Sequence, residues 1–302
     1  MKAILKTINN KKGNISVIMC VALIALLAIT AYAVDIGQVY IEKQRLSNGI
    51  DAAALAAALE LPADRNAAYA VAEEYLIENN VDPSEVEIII AEDNRSIELI
   101  ANRNVNHLFA RVVGINASQV DATNKVIIAP LRAAKGGIRP FAVEDFSYEY
   151  GDQVVLKEGA GDGYHGNYGA VALGGSGTST LRYNVINGYG GIVRIGDIIN
   201  TEPGNMASIN TTIKNVVEAD PSSFEDFERG SPRIWVIPLV DSLIVSGREG
   251  VLVTGFGEFY VENVKNNAGK TEITGRFVRF VGNGEVDVTL EDKGAYGAKL
   301  VK

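Results

Sequence analysis

The residues of this chain whose chemistry could hold an ion or drive a reaction are few: two histidines, one cysteine, and carboxylates set among glycines. In "EGAGDGYHGNYGAVALGGSGTST" Glu158, Asp162, His165 and Asn167 stand close together, and "DIINTEPGNM" adds Asp197, Glu202 and Asn205. Asp162, His165, Asn167, Glu202 and Asn205 form the polar cluster from which a site would be built. Calcium would use such oxygen ligands, but the spacing matches neither the EF-hand loop nor the glycine-rich nonapeptide. Catalysis by His165 would need an activated nucleophile or a metal beside it, and the other histidine, His107, stands far off in sequence. The plainer reading is that the glycines permit tight turns and the polar side chains satisfy loop backbone. No catalytic residue, metal ligand or cofactor is expected, and the chain does not read as an enzyme.

Two further motifs fail on their own geometry. "GGSGTST" lacks the Lys-Ser/Thr of a phosphate loop, and "LRYNVI" after it alternates like a strand, where a nucleotide site would need a helix. Arg276 and Arg279 are three apart and so on opposite faces of a strand, which does not suit a shared anion.

The elements that carry these residues begin with an apolar run. Ile15 to Val34, "ISVIMCVALIALLAITAYAV", contains no charge, proline or glycine. A helix of that length spans roughly 30 Å, the hydrocarbon thickness of a bilayer. Four lysines precede it without an acid and Asp35 follows at once, so the positive-inside rule places the N-terminus in the cytoplasm of a single-pass protein of the cell membrane. Cleavage after Ala33 is the competing reading, since "AYA" has the small-x-small form of a signal-peptidase site. Met19, before the only cysteine, Cys20, is too large for a lipobox. Overall there are 37 Asp and Glu against 28 Lys and Arg, an acidic balance that argues against nucleic acid.

Past Asp35 the helical pattern continues. Ile36, Val39, Lys43, Leu46, Ile50, Ala53 and Ala57 recur in steps of three and four, a heptad-like seam that ends before Pro62. This seam could pack on the chain's own domain or on copies and partners. A second helix capped by Asp64 follows, with Ala68, Val71, Ala72, Tyr75 and Leu76 on one face. Then come a hairpin (Val86 to Ala91, Ser96 to Ala101), a short helix in "NVNHLFARVVG" with Val105, Leu108, Phe109, Val112 and Val113 inward, and a strand in "QVDATNKVIIA". "APLRAAKGGIRP" reads as a linker. Beyond it, short runs between glycine and asparagine turns ("QVVLK", "YGAVAL", "TLRYNVI", "GIVRIG", "RIWVIPLV", "SLIVSG", "GVLVTGFGEFYVENV", "TEITGRFVRFV", "VDVTL") argue for a barrel or sandwich, interrupted by one helix in "NMASINTTIKNVVEA".

"KKGNISVIMC", the apolar run, "AVDIGQVY" and "QRLSNGIDAAALAAA" together resemble the N-terminal segment of TadG-like, and more distantly TadE-like, proteins of Flp (tight-adherence, type IVb) pilus assembly, over residues 11–61. Prepilin peptidases cut after a glycine and usually want a glutamate five residues on; counted from Gly13, which Asn14 follows, that fifth place holds Ile18. The motif therefore looks vestigial, as in TadG-type members, with cleavage after Gly13 left as an alternative. The fold class expected is α+β: a long transmembrane and amphipathic helix with a small pilin-like α+β module, then a β-rich barrel or sandwich. The divisions are a basic cytoplasmic N-terminus (1–14), the span (15–34), the module (35–130), a linker (131–140) and the β-rich extracytoplasmic domain (141–302). The resemblance implies a non-enzymatic, membrane-anchored pilus-assembly component with pseudopilin or assembly subunits as partners, either within the filament or beside it. An exported carbohydrate-binding or hydrolytic β-domain on a pilin-like anchor is the alternative.

Overall fold

The computed structural model describes residues 14–146, 150–157, 168–202, 207–245, 247–267 and 270–301. Its first element is a single helix, α1, Asn14–Glu60, 47 residues long. None of residues 15–34 is buried, whereas Leu46, Ile50, Ala53, Ala54, Ala57 and Ala58 are fully so. The apolar half is long and apolar enough to cross a membrane, and Thr30 satisfies its hydroxyl within the helix by donating to the Leu26 carbonyl at 2.8 Å. After Pro62 a second helix, α2 (Arg65–Glu78), starts where the Asp64 carboxylate accepts the backbone N–H groups of Asn66 and Ala67. Its buried stripe is Ala68, Ala72 and Leu76.

Fourteen strands follow among the described residues, in two sheets. The first sheet runs β1 (Val86–Ile90), β2 (Ser96–Asn106), β3 (Ala117–Lys135), β14 (Ala295–Val301) and β12 (Phe280–Gly282), with β13 (Gly284–Val286) and β7 (Ile192–Arg194) also on β3. The second runs β5 (Gln153–Lys157), β11 (Lys270–Val278), β10 (Gly250–Asn267), β9 (Ile234–Val240), β4 (Phe141–Glu144) and β6 (Tyr168–Ala170), with β8 (Ile198–Asn200) on β10. Two more helices, α3 (Thr178–Asn187) and α4 (Ala207–Glu218), lie on the second sheet. The fold is mixed α+β, a long N-terminal helix followed by β-rich sheets.

Three apolar clusters hold it together. The alanine-rich half of α1 and α2 cover one face of the first sheet, meeting Ile97, Leu99, Val126, Ile128 and Tyr296. Full burial of Leu46, Ile50 and Leu76 contributes about 1.5–3 kcal/mol each. Gly49 lets the segment that follows α2 lie close on α1: a Cβ there would stand 2.6 Å from Val81 Cγ2. The second cluster stacks Phe141 on Trp235, ring centroids 5.2 Å apart, under Leu181, Val185, Ile209, Ile213 and Val217 of α3 and α4. The third joins the sheets through Leu131, Ile138, Val240, Val253, Phe256 and Ala295. The burial of β3 records the change: residues 120–126 alternate, as a strand covered on one face must, and residues 128–131 are buried on both faces where the second sheet arrives.

Five expectations are corrected. The linker, 131–140, is occupied by structure: β3 continues to Lys135, and Arg139, 8% exposed, donates to the carbonyls of Val185 and Ile186 at 2.7 and 2.9 Å. That buried guanidinium closes the C-terminal end of α3, where a cation also complements the helix dipole. "TLRYNVI" is helical, because Leu181, Asn184 and Val185 share the buried side and the Asn184 amide donates to the Leu173 carbonyl at 2.8 Å. "SLIVSG" is not a strand in its described part, 242–245 and 247, and "VDVTL" leaves β13 after Val286, where the Asp287 carboxylate accepts from the backbone and hydroxyl of Thr289. The short helix of "NVNHLFARVVG" is instead the end of β2 followed by a 3-10 turn, Ala110–Val113, closed by Gly114 at φ 89°. Of its five residues expected inward only Val105 is buried; Leu108, Phe109, Val112 and Val113 are exposed. Because Asn106 pairs with Ala117, residues 107–116 form the hairpin loop between β2 and β3.

Candidate functional site

The feature around which the chain is organised is the point where α1 leaves its apolar half. Asp35, the first charge after the run, is 2% exposed despite its place on an otherwise open stretch of helix. The β2–β3 loop covers it. Its carboxylate accepts the backbone N–H of Leu108 at 2.8 Å, of Phe109 at 3.1 and 3.2 Å, and of Ala110 at 2.6 Å. Three successive N–H groups converging on one carboxylate form an anion nest, here filled by the chain itself. His107, 6% exposed at the end of β2, shares a 2.9 Å hydrogen bond with Ser118 Oγ and faces the same carboxylate. It stands just past the end of β2 and not on a helix, and its Nδ1 is buried without a hydrogen-bond partner among the described residues.

The seam residues divide along α1. Leu46, Ile50, Ala53 and Ala57 are buried in the chain's own first core, Val39 packs partly against it, and Ile36 is exposed. Above Asp35 the helix is tied sideways by Arg103, which reaches Glu85 at 2.7 Å and Glu42 at 3.1 Å; these two carboxylates raise its pKa. At the far end Arg229 donates to the Leu59 carbonyl and to that of Val281, and stacks 4.0 Å from the Phe280 centroid. Arg229 therefore closes the C-terminal end of α1 as Arg139 closes α3.

Glu258, on β10, has no counterpart in the sequence reading. It is 1% exposed, and neither carboxylate oxygen has a hydrogen-bond partner among the described residues. Burial pushes its pKa up to about 8, against the opposing pull of Arg229. The signal was available in "GFGEFYV", where an acid stands in a strand apolar on both faces.

Of the polar cluster, Asp162, His165, Asn167 and Asn205 lie outside the described residues, as does Gly13 of the processing-like motif. Asn14 is the first residue of α1, and Ile18 is exposed on its apolar half. Glu202 is described: it accepts the Gly177 N–H at 3.2 Å and pairs with Arg248 at 2.8 Å. A helix does begin after the glycine run, contrary to the strand reading, but a carboxylate of the chain itself occupies the place at its start where a phosphate would sit. A cleft of about 270 Å³ between the sheets, lined among others by Pro130, Thr254 and Phe256, is likewise closed electrostatically, with Lys293 3.0 Å from Asp145. Among the described residues no group of three or more His, Cys, Asp or Glu could hold a metal ion. Arg276 and Arg279 are separately engaged, Arg276 with Glu262 at 2.7 Å and Arg279 over the Tyr150 ring at 4.1 Å.

The half-exposed, half-buried helix coincides with a family match. Residues 13–60 match the family model described as "Tad: Putative Flp pilus-assembly TadE/G-like". Over that segment the chain is similar to the Tad family. The matched residues are those of α1 almost to the residue, so the Tad segment comprises both the apolar half and the half that builds the first core. No curated protein and no solved structure matches the chain.

Proposed function

We propose that this protein is a membrane-anchored, non-enzymatic component of Flp pilus assembly, held by residues 15–34 with its N-terminus in the cytoplasm and its β-rich body outside. The observation that carries this reading is the coincidence of the Tad segment with one unbroken helix, uncovered over its first half and buried in the body over its second. The role is mechanical: the span and the exposed strip beyond it meet membrane-embedded pilus subunits, and the second half of α1 fixes the body to the span without a flexible joint. Engagement of Glu202 by Gly177 and Arg248 supports a structural role for this side chain over a place in a carbohydrate-binding or hydrolytic site.

Fractionation with protease protection on intact spheroplasts tests the arrangement. The expected result is a membrane-bound chain whose body is digested from outside while a fragment containing the span is protected. A soluble mature protein beginning after Ala33 would overturn the anchor. Cross-linking from exposed positions such as Ile24→Cys to pilus-assembly subunits tests the role, and a span that cross-links to none of them would remove it.

A further inference from the structure

The five large apolar side chains of the β2–β3 loop belong to none of the three apolar clusters of the described residues. Val112 is 87% and Val113 77% exposed, Ile115 56%, and Leu108 and Phe109 each 49%. An exposed cluster of this kind marks an interaction surface, because scattered single residues are common on proteins and contiguous ones are not. Its location identifies the occupant. The loop's own N–H groups are clamped onto Asp35, the first residue past the apolar run, so the loop is held at the level where the helix passes from hydrocarbon to water. On α1 itself Tyr32, Ile36 and Tyr40 continue an exposed strip through the same level, one turn apart each, and tyrosine is the side chain that collects at a bilayer's polar boundary. The loop tip carries Arg111, exposed and, among the described residues, hydrogen-bonded only within its own turn through the Leu108 carbonyl at 3.0 Å, a cation suited to lipid phosphate.

We infer that the β2–β3 loop is a second membrane contact, which seats Leu108, Phe109, Val112, Val113 and Ile115 in the lipid of the leaflet next to the body and sets the body's depth and tilt beside the span. The inference rests on the anchor reading above. The occupant is lipid: the apolar cluster is continuous, through Asp35, with a helix half that has the length of a bilayer and no cover from the chain. A helix alone fixes one axis and leaves rotation about it free; a contact offset from that axis fixes the rotation.

The test uses the full chain with Cys20→Ala, reconstituted into nanodiscs of phosphatidylethanolamine and phosphatidylglycerol. Single cysteines at Val112, Val113, Ile24 and Val288 are labelled with an environment-sensitive fluorophore and exposed to brominated lipids and to aqueous iodide. Ile24 reports the span and Val288, exposed on the body, reports water. The expected result is lipid quenching at Val112 and Val113, by bromines near the headgroup more than by those near the chain ends, with at least a threefold loss of iodide quenching relative to Val288. Lipid quenching at Ile24 with water-like behaviour at both loop positions overturns the loop contact and leaves the anchor standing. Failure of lipid quenching at Ile24 overturns the anchor itself, and the loop contact with it. Loop labels shielded from iodide but untouched by lipid bromine would mean a protein surface covers them, which also overturns the inference.

Discussion

Replacing Glu258 by glutamine should change how stability depends on pH more than it changes stability itself. An acid with a pKa near 8 in the folded protein and near 4.5 when unfolded keeps its proton on folding across that window. The folded state then binds more protons than the unfolded one, so stability falls as pH rises from about 4.5 to about 8 and levels off above. Below the window both states are protonated and the group contributes nothing. Each pH unit is worth 1.36 kcal/mol, so the full traverse is at most about 5 kcal/mol, less what is recovered if Arg229 moves toward the ionised carboxylate. For a body of this size, 1 kcal/mol moves the melting temperature by about 2–4 °C. Glu258→Gln keeps the shape and removes the titration. Thermal unfolding of the full chain in detergent from pH 5 to pH 9 should show the variant equal to or slightly below the wild type at pH 5 and above it by roughly 10 °C at pH 9. Parallel curves for the two proteins would refute the reasoning, since they would mean that the carboxylate is hydrated or ionised within the fold.

Arg139→Met fills the same space without donors, and leaving the carbonyls of Val185 and Ile186 uncapped should cost about 2–4 kcal/mol in denaturant unfolding, with partial recovery by lysine. Asp35→Asn replaces charge-assisted bonds by neutral ones, so the amides of Leu108, Phe109 and Ala110 should exchange their hydrogens about 10-fold or more faster while those of β9 are unchanged. Gly49→Val places a side chain where α1 meets Val81 and should destabilise by about 1–3 kcal/mol, read as a lowered denaturation midpoint with an unaltered slope.

The first two helices and the apolar run were legible in the residues because their signals are local. A charge-free run, a three-and-four seam, Asp64 before a periodic stretch and Pro62 after one each act within a few turns. The Ser96 strand and its partners were visible for the same reason, through alternation. Where the reading failed, the deciding partner was far away in sequence. Thr178–Asn187 looks like a strand until the Leu173 carbonyl takes up Asn184 and Arg139 takes up its last carbonyls. Residues 131–140 look like a linker because small and glycine residues usually are, and become core only when the second sheet closes over Leu131 and Ile138. Leu108, Phe109, Val112 and Val113 were read as an inward helix face, but they lie on a loop and are exposed, because spacing alone does not distinguish a buried helix face from an apolar turn. Glu258 shows the opposite limit, since an acid between apolar neighbours announces itself in the sequence but its ionisation depends on the whole fold.

The return of β14 to the first sheet bears on how the protein is made. Val126 and Ile127 on β3 find their second neighbours, Leu300 and Lys299, only at the other end of the polypeptide. Asp292 draws Arg95, Tyr150 and Tyr296 together across the same seam. During synthesis α1, β2 and β3 are made long before β14, so the edge of β3 that β14 will occupy stays open until the last described strand has emerged. In that interval an unpaired strand edge is able to pair with any other extended segment that arrives. Folding of the first sheet is therefore completed only when β14 docks on β3.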